Sequence, residues 1–162
     1  MNIRPALRTD LGRLTDIYNH YVINSHATFD VDPFTEPTRL PWFKQFDGKR
    51  YQCLVAELDG ALAGYAGSAK LKEKPAYQSS VEVSVYLAPD ATGGRIGTRL
   101  YRALLDHLAG QDVHRAYALI AQPNDASMRL HEAYGFRQVA RLNEVGRKFD
   151  RYWDVVWLER AM

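Results

Sequence analysis

Val81-Glu82-Val83-Ser84-Val85-Tyr86-Leu87, continuing into Ala88-Pro89-Asp90-Ala91-Thr92-Gly93-Gly94-Arg95-Ile96-Gly97-Thr98-Arg99-Leu100, is the stretch on which the fold turns. Val81, Val83, Val85 and Leu87 alternate with Glu82, Ser84 and Tyr86, the period of a strand whose successive side chains face opposite ways. After Pro89-Asp90 the chain turns through Gly93-Gly94-Arg95-Ile96-Gly97. The period then lengthens: Leu100, Tyr101, Leu104, Leu105 and Leu108 form the apolar stripe of an amphipathic helix. A strand therefore feeds a helix through a glycine turn. The first N–H groups of a helix lack internal partners and carry partial positive charge. Glycine lets a phosphate approach them without a Cβ in the way. Two readings stay open on the glycines alone, an anion cradle and a plain glycine loop. The turn is neither G-x-x-x-x-G-K-[ST] nor G-x-G-x-x-G, so a P-loop is unsupported and the two common nucleotide-binding readings are the weaker ones.

Toward the N-terminus, Tyr51 to Leu58 and Ala61 to Leu71 read as strands joined by Asp59-Gly60, a strong hairpin signal. Before them, Leu11, Leu14, Ile17, Tyr18, Tyr21 and Val22 recur at helical spacing, with Thr9 or Asp10 placed to cap the first turn. Residues 25–37, with Asp32-Pro33 and Glu36-Pro37, read as loop. Trp42, Phe43 and Phe46 predict a short second helix ending near Gly48, and Ile3 and Ala6 flank a short extended start. Toward the C-terminus, Tyr117 to Ile120 reads as a strand and Asn124 to Tyr134 as a helix stopped by Gly135. Two last strands fall near Gln138–Glu144 and Arg151–Leu158. No repeat or linker interrupts this order, so residues 1–162 are expected to form one domain of mixed α/β (α+β) architecture around a single sheet.

Composition narrows the function classes. Hydrophobic residues make up 46% and charged residues 25%, an ordinary globular profile. The formal net charge is +2, and the 21 Lys and Arg are scattered rather than gathered into a patch, so a nucleic-acid partner is not expected. No apolar run approaches the roughly 20 residues of a membrane helix, and the N-terminus lacks a signal-like apolar core. With the single cysteine, Cys53, set in an apolar run as a buried structural thiol, a cytoplasmic location is expected.

Two segments carry a family resemblance. Val85 to Gly97 resembles the acetyl-CoA motif of GNAT acetyltransferases, [Q/R]-x-x-G-x-[G/A], placed between a strand and a helix. Gln122-Pro123-Asn124-Asp125-Ala126-Ser127-Met128-Arg129-Leu130-His131-Glu132-Ala133-Tyr134-Gly135-Phe136 resembles that family's N-x-x-[AS]-x-x-[LMH]-[YH]-x-x-x-G-[FY] helix at the matching distance. A narrower similarity, to phosphinothricin acetyltransferases, lies in five places: Asn19-His20-Tyr21, Thr28-Phe29, the strand around Glu82, Leu130-His131-Glu132, and Gly146 to Val155. The chain departs from the first motif at Thr92, where Gln or Arg is usual, and at Arg95, where the first glycine is usual. Gly97 matches the second glycine, and Gly93 and Gly94 come slightly early.

The resemblance implies a GNAT fold of about seven strands and four helices. It also implies acetyl-CoA as co-substrate without a metal, a small amino-acid-like amine as acceptor, and a homodimer. Other amine acceptors (a polyamine, an aminoglycoside, a protein N-terminus) or a non-catalytic CoA-binding module are the alternatives. Val85, Tyr86, Leu87, Gly93, Gly94, Arg95, Ile96, Gly97, Thr98 and Asn124 are then the cofactor-binding candidates, though Asn124 reads equally well as a helix cap. Glu82 is the candidate general base, against a solvated or salt-bridged carboxylate. His131 is a candidate acid or base, against a histidine bonded to a backbone carbonyl. Phe29, Lys72, Lys74 and Tyr77 border the acceptor cleft in the resembling enzymes, where cations would suit a carboxylate, although lysines in loops are commonly just solvated. Trp153 and Trp157 read as core or dimer interface.

Overall fold

A computed structural model describes residues 1–91 and 95–162. The strands are β1 (Asn2–Pro5), β2 (Cys53–Leu58), β3 (Ala61–Lys70), β4 (Ser80–Leu87), β5 (Arg115–Ala121), β6 (Arg137–Lys148) and β7 (Arg151–Ala161). The α-helices are α1 (Leu11–Asn24), α2 (Glu36–Phe43), α3 (Ile96–Ala109) and α4 (Asp125–Ala133). Among the described residues the strands make one sheet in the order β1-β2-β3-β4-β5-β7-β6, antiparallel throughout except for β4 beside β5.

Strand period decides which helix covers which face. Leu54, Ala56, Val81 and Val83 pack with the α3 stripe of Ile96, Leu100, Tyr101, Leu104, Leu105 and Leu108. Cys53, Val55 and Tyr65 point the other way, against Leu14 and Ile17 of α1. Because both faces are covered, Cys53-Leu54-Val55-Ala56 is a continuous apolar run rather than an alternating one. The Asp59-Gly60 hairpin forms as expected, with φ of +50° and +81°, the left-handed pair a tight two-residue turn requires.

Four expectations need correction. Asp10 sits at the start of α1 but does not cap it with its side chain. Its carboxylate instead accepts the Leu7 N–H at 2.7 Å and two bonds from Arg4, at 2.7 and 3.1 Å. The loop assigned to residues 25–37 ends earlier, because Thr35 caps α2 and Pro37 falls in its first turn, where no N–H is needed. That helix ends at Phe43, not near Gly48, and the chain continues in turns that still carry Phe46 onto the apolar cluster. The last hairpin is longer than its apolar pattern suggested, because β6 is an edge strand exposed along most of its length and so needs no alternation.

Candidate functional site

The parallel register of β4 and β5 covers only Ser80↔Arg115, Val81↔Ala116 and Glu82↔Tyr117. Beyond Glu82 the two strands part, and the starts of α3 and α4 flank the opening. The fork holds a cavity of about 580 Å³. Its walls are Glu82 to Leu87 of β4, Ala118 to Ile120 of β5, Arg95, Gly97 and Thr98 at the head of α3, and Asn124 to His131 along α4, with Tyr21 and Ala27 closing one side.

Glu82 stands at the crotch of this fork, on the sheet face opposite Val81 and Val83. Among the described residues its carboxylate has no hydrogen-bond or ion-pair partner. Burial raises its pKa above the ordinary carboxylate value, and the positive charge of Lys72 pulls partly the other way. The Lys72 ammonium lies 5.6 Å from the Trp157 ring centre. Glu82 is therefore a half-buried carboxylate in a cleft whose charge is only partly offset, the environment in which perturbed functional carboxylates are found.

His131 is buried on α4 against Tyr101 and Phe136. Its Nδ1 lies 2.8 Å from the Ser127 carbonyl. A carbonyl only accepts, so Nδ1 carries the proton and the neutral ring presents a bare lone pair at Nε2. Nε2 is buried and has no partner among the described residues. Burial holds the ring's pKa below its usual value, against the opposing pull of the Ser127 carbonyl, so the imidazole is uncharged near neutrality. His131 thus bonds a backbone carbonyl and also lines the cavity.

On the candidate phosphate side, Arg95 holds φ +60° and ψ +22° at the entry to α3. This left-handed conformation swings the chain into the helix. The Gly97 Cβ position would meet only Leu87, at an ordinary contact distance of 3.4 Å, so protein packing does not require glycine there. Thr98 lines the wall, and its carbonyl accepts the Tyr134 hydroxyl at 2.7 Å. The Ile96 side chain is buried in the core, which leaves only its backbone to face a ligand. Gly93 and Gly94 lie outside the described residues, as does Thr92. Asn124 Oδ1 accepts the Ser127 N–H at 3.2 Å, so the residue caps α4 while also lining the cavity. Val85, Tyr86 and Leu87 run along the opened edge of β4, and the Leu87 carbonyl accepts the Tyr21 hydroxyl at 2.8 Å. A long cleft with a free strand edge, a helix entry with room at Gly97 and one arginine fits an extended thioester with a diphosphate end.

The acceptor-side expectations fare differently. Phe29, Lys72, Lys74 and Tyr77 do not line the cavity. Lys72 reaches Glu82 through its charge, whereas Lys74 precedes a short turn at Pro75–Tyr77 and Tyr77 is exposed. Sequence reading missed Tyr21, Ala27, Ser84 and Leu119 as wall residues. Alternation along β4 could have pointed to Ser84, which shares a face with Glu82. Tyr21 appears in the sequence only as part of the α1 stripe and of the Asn19-His20-Tyr21 similarity, and Ala27 and Leu119 carry no local signal.

The fold is that of an acetyltransferase, and the chain belongs to the Acetyltransferase (GNAT) family, whose profile matches residues 14–136. It is 50% identical to a phosphinothricin N-acetyltransferase of Streptomyces coelicolor, over 100% of this chain and 96% of that protein. It is 33% identical to an L-methionine sulfoximine/L-methionine sulfone acetyltransferase of Salmonella typhimurium, covering 98% and 93% of the two chains. A crystal structure of a phosphinothricin acetyltransferase from Sinorhizobium meliloti in complex with acetyl-CoA superposes with a TM-score of 0.95. Identity there is 31%, over 99% of this chain and 88% of that one.

Proposed function

We propose that residues 1–162 act as one N-acetyltransferase domain that moves the acetyl group of acetyl-CoA to the amine of a small amino-acid-like acceptor. Phosphinothricin, methionine sulfone and methionine sulfoximine define the acceptor type, in keeping with the names of the similar enzymes. The observation that carries this reading is the placement of the unpaired Glu82 at the strand fork, in one cavity with the α3 entry and His131.

In this mechanism Arg95 and the amides at the head of α3, with Gly97 and Thr98, hold the diphosphate. The opened edge of β4 at Val85–Leu87 lies along the pantetheine arm. Asn124, already capping α4, flanks that arm. Glu82 takes a proton from the acceptor ammonium, directly or through one water, because only a neutral amine attacks a thioester. A β4 amide stabilises the oxyanion that forms as nitrogen bonds to the carbonyl carbon. His131 accepts at Nε2 the second proton that the bonded nitrogen sheds. It returns that proton to the sulfur as the C–S bond breaks. The products are an N-acetylated amine, a free thiol and one proton left on Glu82. Lys72, whose charge reaches Glu82, meets the acceptor's anionic end, with Lys74, Phe29 and Tyr77, all outside the cavity wall, completing the acceptor side.

The protein works as a homodimer in the cytoplasm. Support for the dimer is the exposed edge strand β6, which presents Val139, Leu142 and Val145 to solvent.

Thiol release from acetyl-CoA with a panel of amino acids and analogues tests the activity. Turnover with at least one small amino-acid analogue is expected. No acceptor-dependent thiol release across the panel contradicts it.

A further inference from the structure

Only two of the residues lining the cavity, Tyr21 and Ala27, come from the N-terminal third of the chain. Both depend on how α1 ends and how residues 25–30 leave it. Three main-chain carbonyls of that region converge on one distant ammonium. Lys148 Nζ donates to Ser25 O at 2.7 Å, Thr28 O at 2.8 Å and Tyr21 O at 3.4 Å. Lys148 is only 4% exposed and makes no ion pair among the described residues, although the charge of Asp30 acts on it from farther off. The Tyr21 carbonyl also accepts the Ser25 N–H that closes α1, while Ser25 and Thr28 lie just past the helix end, so one ammonium ties the last turn of α1 to the loop that follows it.

The same hairpin tip grips the segment a second time. Phe29 lies on Gly146, so closely that a Cβ there would sit 2.1 Å from a ring carbon. The tip is itself braced, since Trp153 Nε1 donates to the Lys148 carbonyl at 2.9 Å and the His26 ring stacks on Trp153 at 4.0 Å. An ammonium offers three donors in a compact tetrahedral head. A guanidinium is larger and planar, and a methionine donates nothing.

We infer that Lys148 is a positioning residue for acceptor recognition: by holding the carbonyls of Tyr21, Ser25 and Thr28 it fixes Ala27 in the cavity wall and keeps Phe29 seated on Gly146 of the hairpin tip. It touches no substrate itself. The inference rests on the acetyltransferase reading above, and it assigns to the β6–β7 hairpin a task separate from the thioester side built by β4 and α3.

Lys148→Met is the test, read by acceptor kinetics with methionine sulfone, CoA calorimetry and hydrogen exchange. Acceptor KM should rise by about tenfold or more while kcat stays within about threefold and the CoA Kd within about twofold. Amide exchange should quicken in residues 25–30, and Lys148→Arg should not restore KM. A merely structural lysine would lower the melting temperature and leave KM and that local exchange unchanged, which overturns the inference. So does a parallel loss of CoA affinity. If Lys148→Met does not fold, Gly146→Ala decides, because its methyl must displace the Phe29 ring. Raised acceptor KM with unaltered CoA Kd supports the inference, and an unchanged KM overturns it. A wild type that binds CoA but acetylates no acceptor defeats the functional reading instead. Exchange of residues 25–30 in the Lys148 variants then decides the inference alone.

Discussion

The role proposed for Glu82 rests on missing partners: burial disfavours its charge, and no arginine or backbone N–H among the described residues compensates. As the proposed base, Glu82 works only when ionised, and its pKa is raised. The acid limb of kcat/KM should therefore fall away at a pH above the ordinary carboxylate range, with activity rising as pH increases through it. Glu82→Gln should lower kcat by roughly 10²–10⁴ and abolish that limb. Unchanged rates across pH would remove Glu82 from the mechanism. Lys72 opposes the burial effect, so Lys72→Met should move the limb to higher pH. Cys53 shows the opposite situation, a titratable group with no chemistry to do. It is 1% exposed, and burial pushes its thiol up to about 12. The native protein should therefore resist alkylation by iodoacetamide at pH 8, with modification seen by mass spectrometry only after unfolding.

At the scale of elements, the entry to α3 separates protein packing from ligand binding. Since a methyl group at Gly97 meets only Leu87 at contact distance, Gly97→Ala should leave the melting temperature nearly unchanged. The same methyl intrudes on the cavity wall and should weaken CoA binding by about tenfold in calorimetry. The opposite end of the sheet depends on Asp10, which joins β1 to the start of α1. Its bonds to Arg4 first, and to the Leu7 N–H, hold its pKa below the ordinary value despite burial. A lowered folded-state pKa means stability that is present above the usual aspartate range and is lost as pH falls through the folded value. Asp10→Asn should therefore cost roughly 1–3 kcal/mol in denaturant unfolding at pH 7, with the difference shrinking in acid.

At the scale of the molecule, exposed β6 leaves a long sheet edge with unpaired backbone groups and three apolar side chains in solvent. Sedimentation should give twice the mass of the 162-residue chain, and Leu142→Glu should shift it toward the single-chain value while the fold persists by circular dichroism. Much of this molecule is written locally. The order of strands and helices, the Asp59-Gly60 turn and the position of the α3 entry follow from period-2 and period-3.6 patterns and from glycine at turns. Each of these acts within about 15 residues. The same patterns put Glu82 on the face opposite Val81 and His131 on α4. They do not say that β4 and β5 separate after Glu82, which is what creates the cavity. Nor do they bring Lys148 to Thr28 across 120 residues, or place Tyr21 and Ala27 in the wall. Those contacts depend on how layers pack once formed, and a repeat along one segment carries no record of what lies against it. The sequence by itself determined the elements and the family of the fold, and the packed tertiary structure decided the shape of the site.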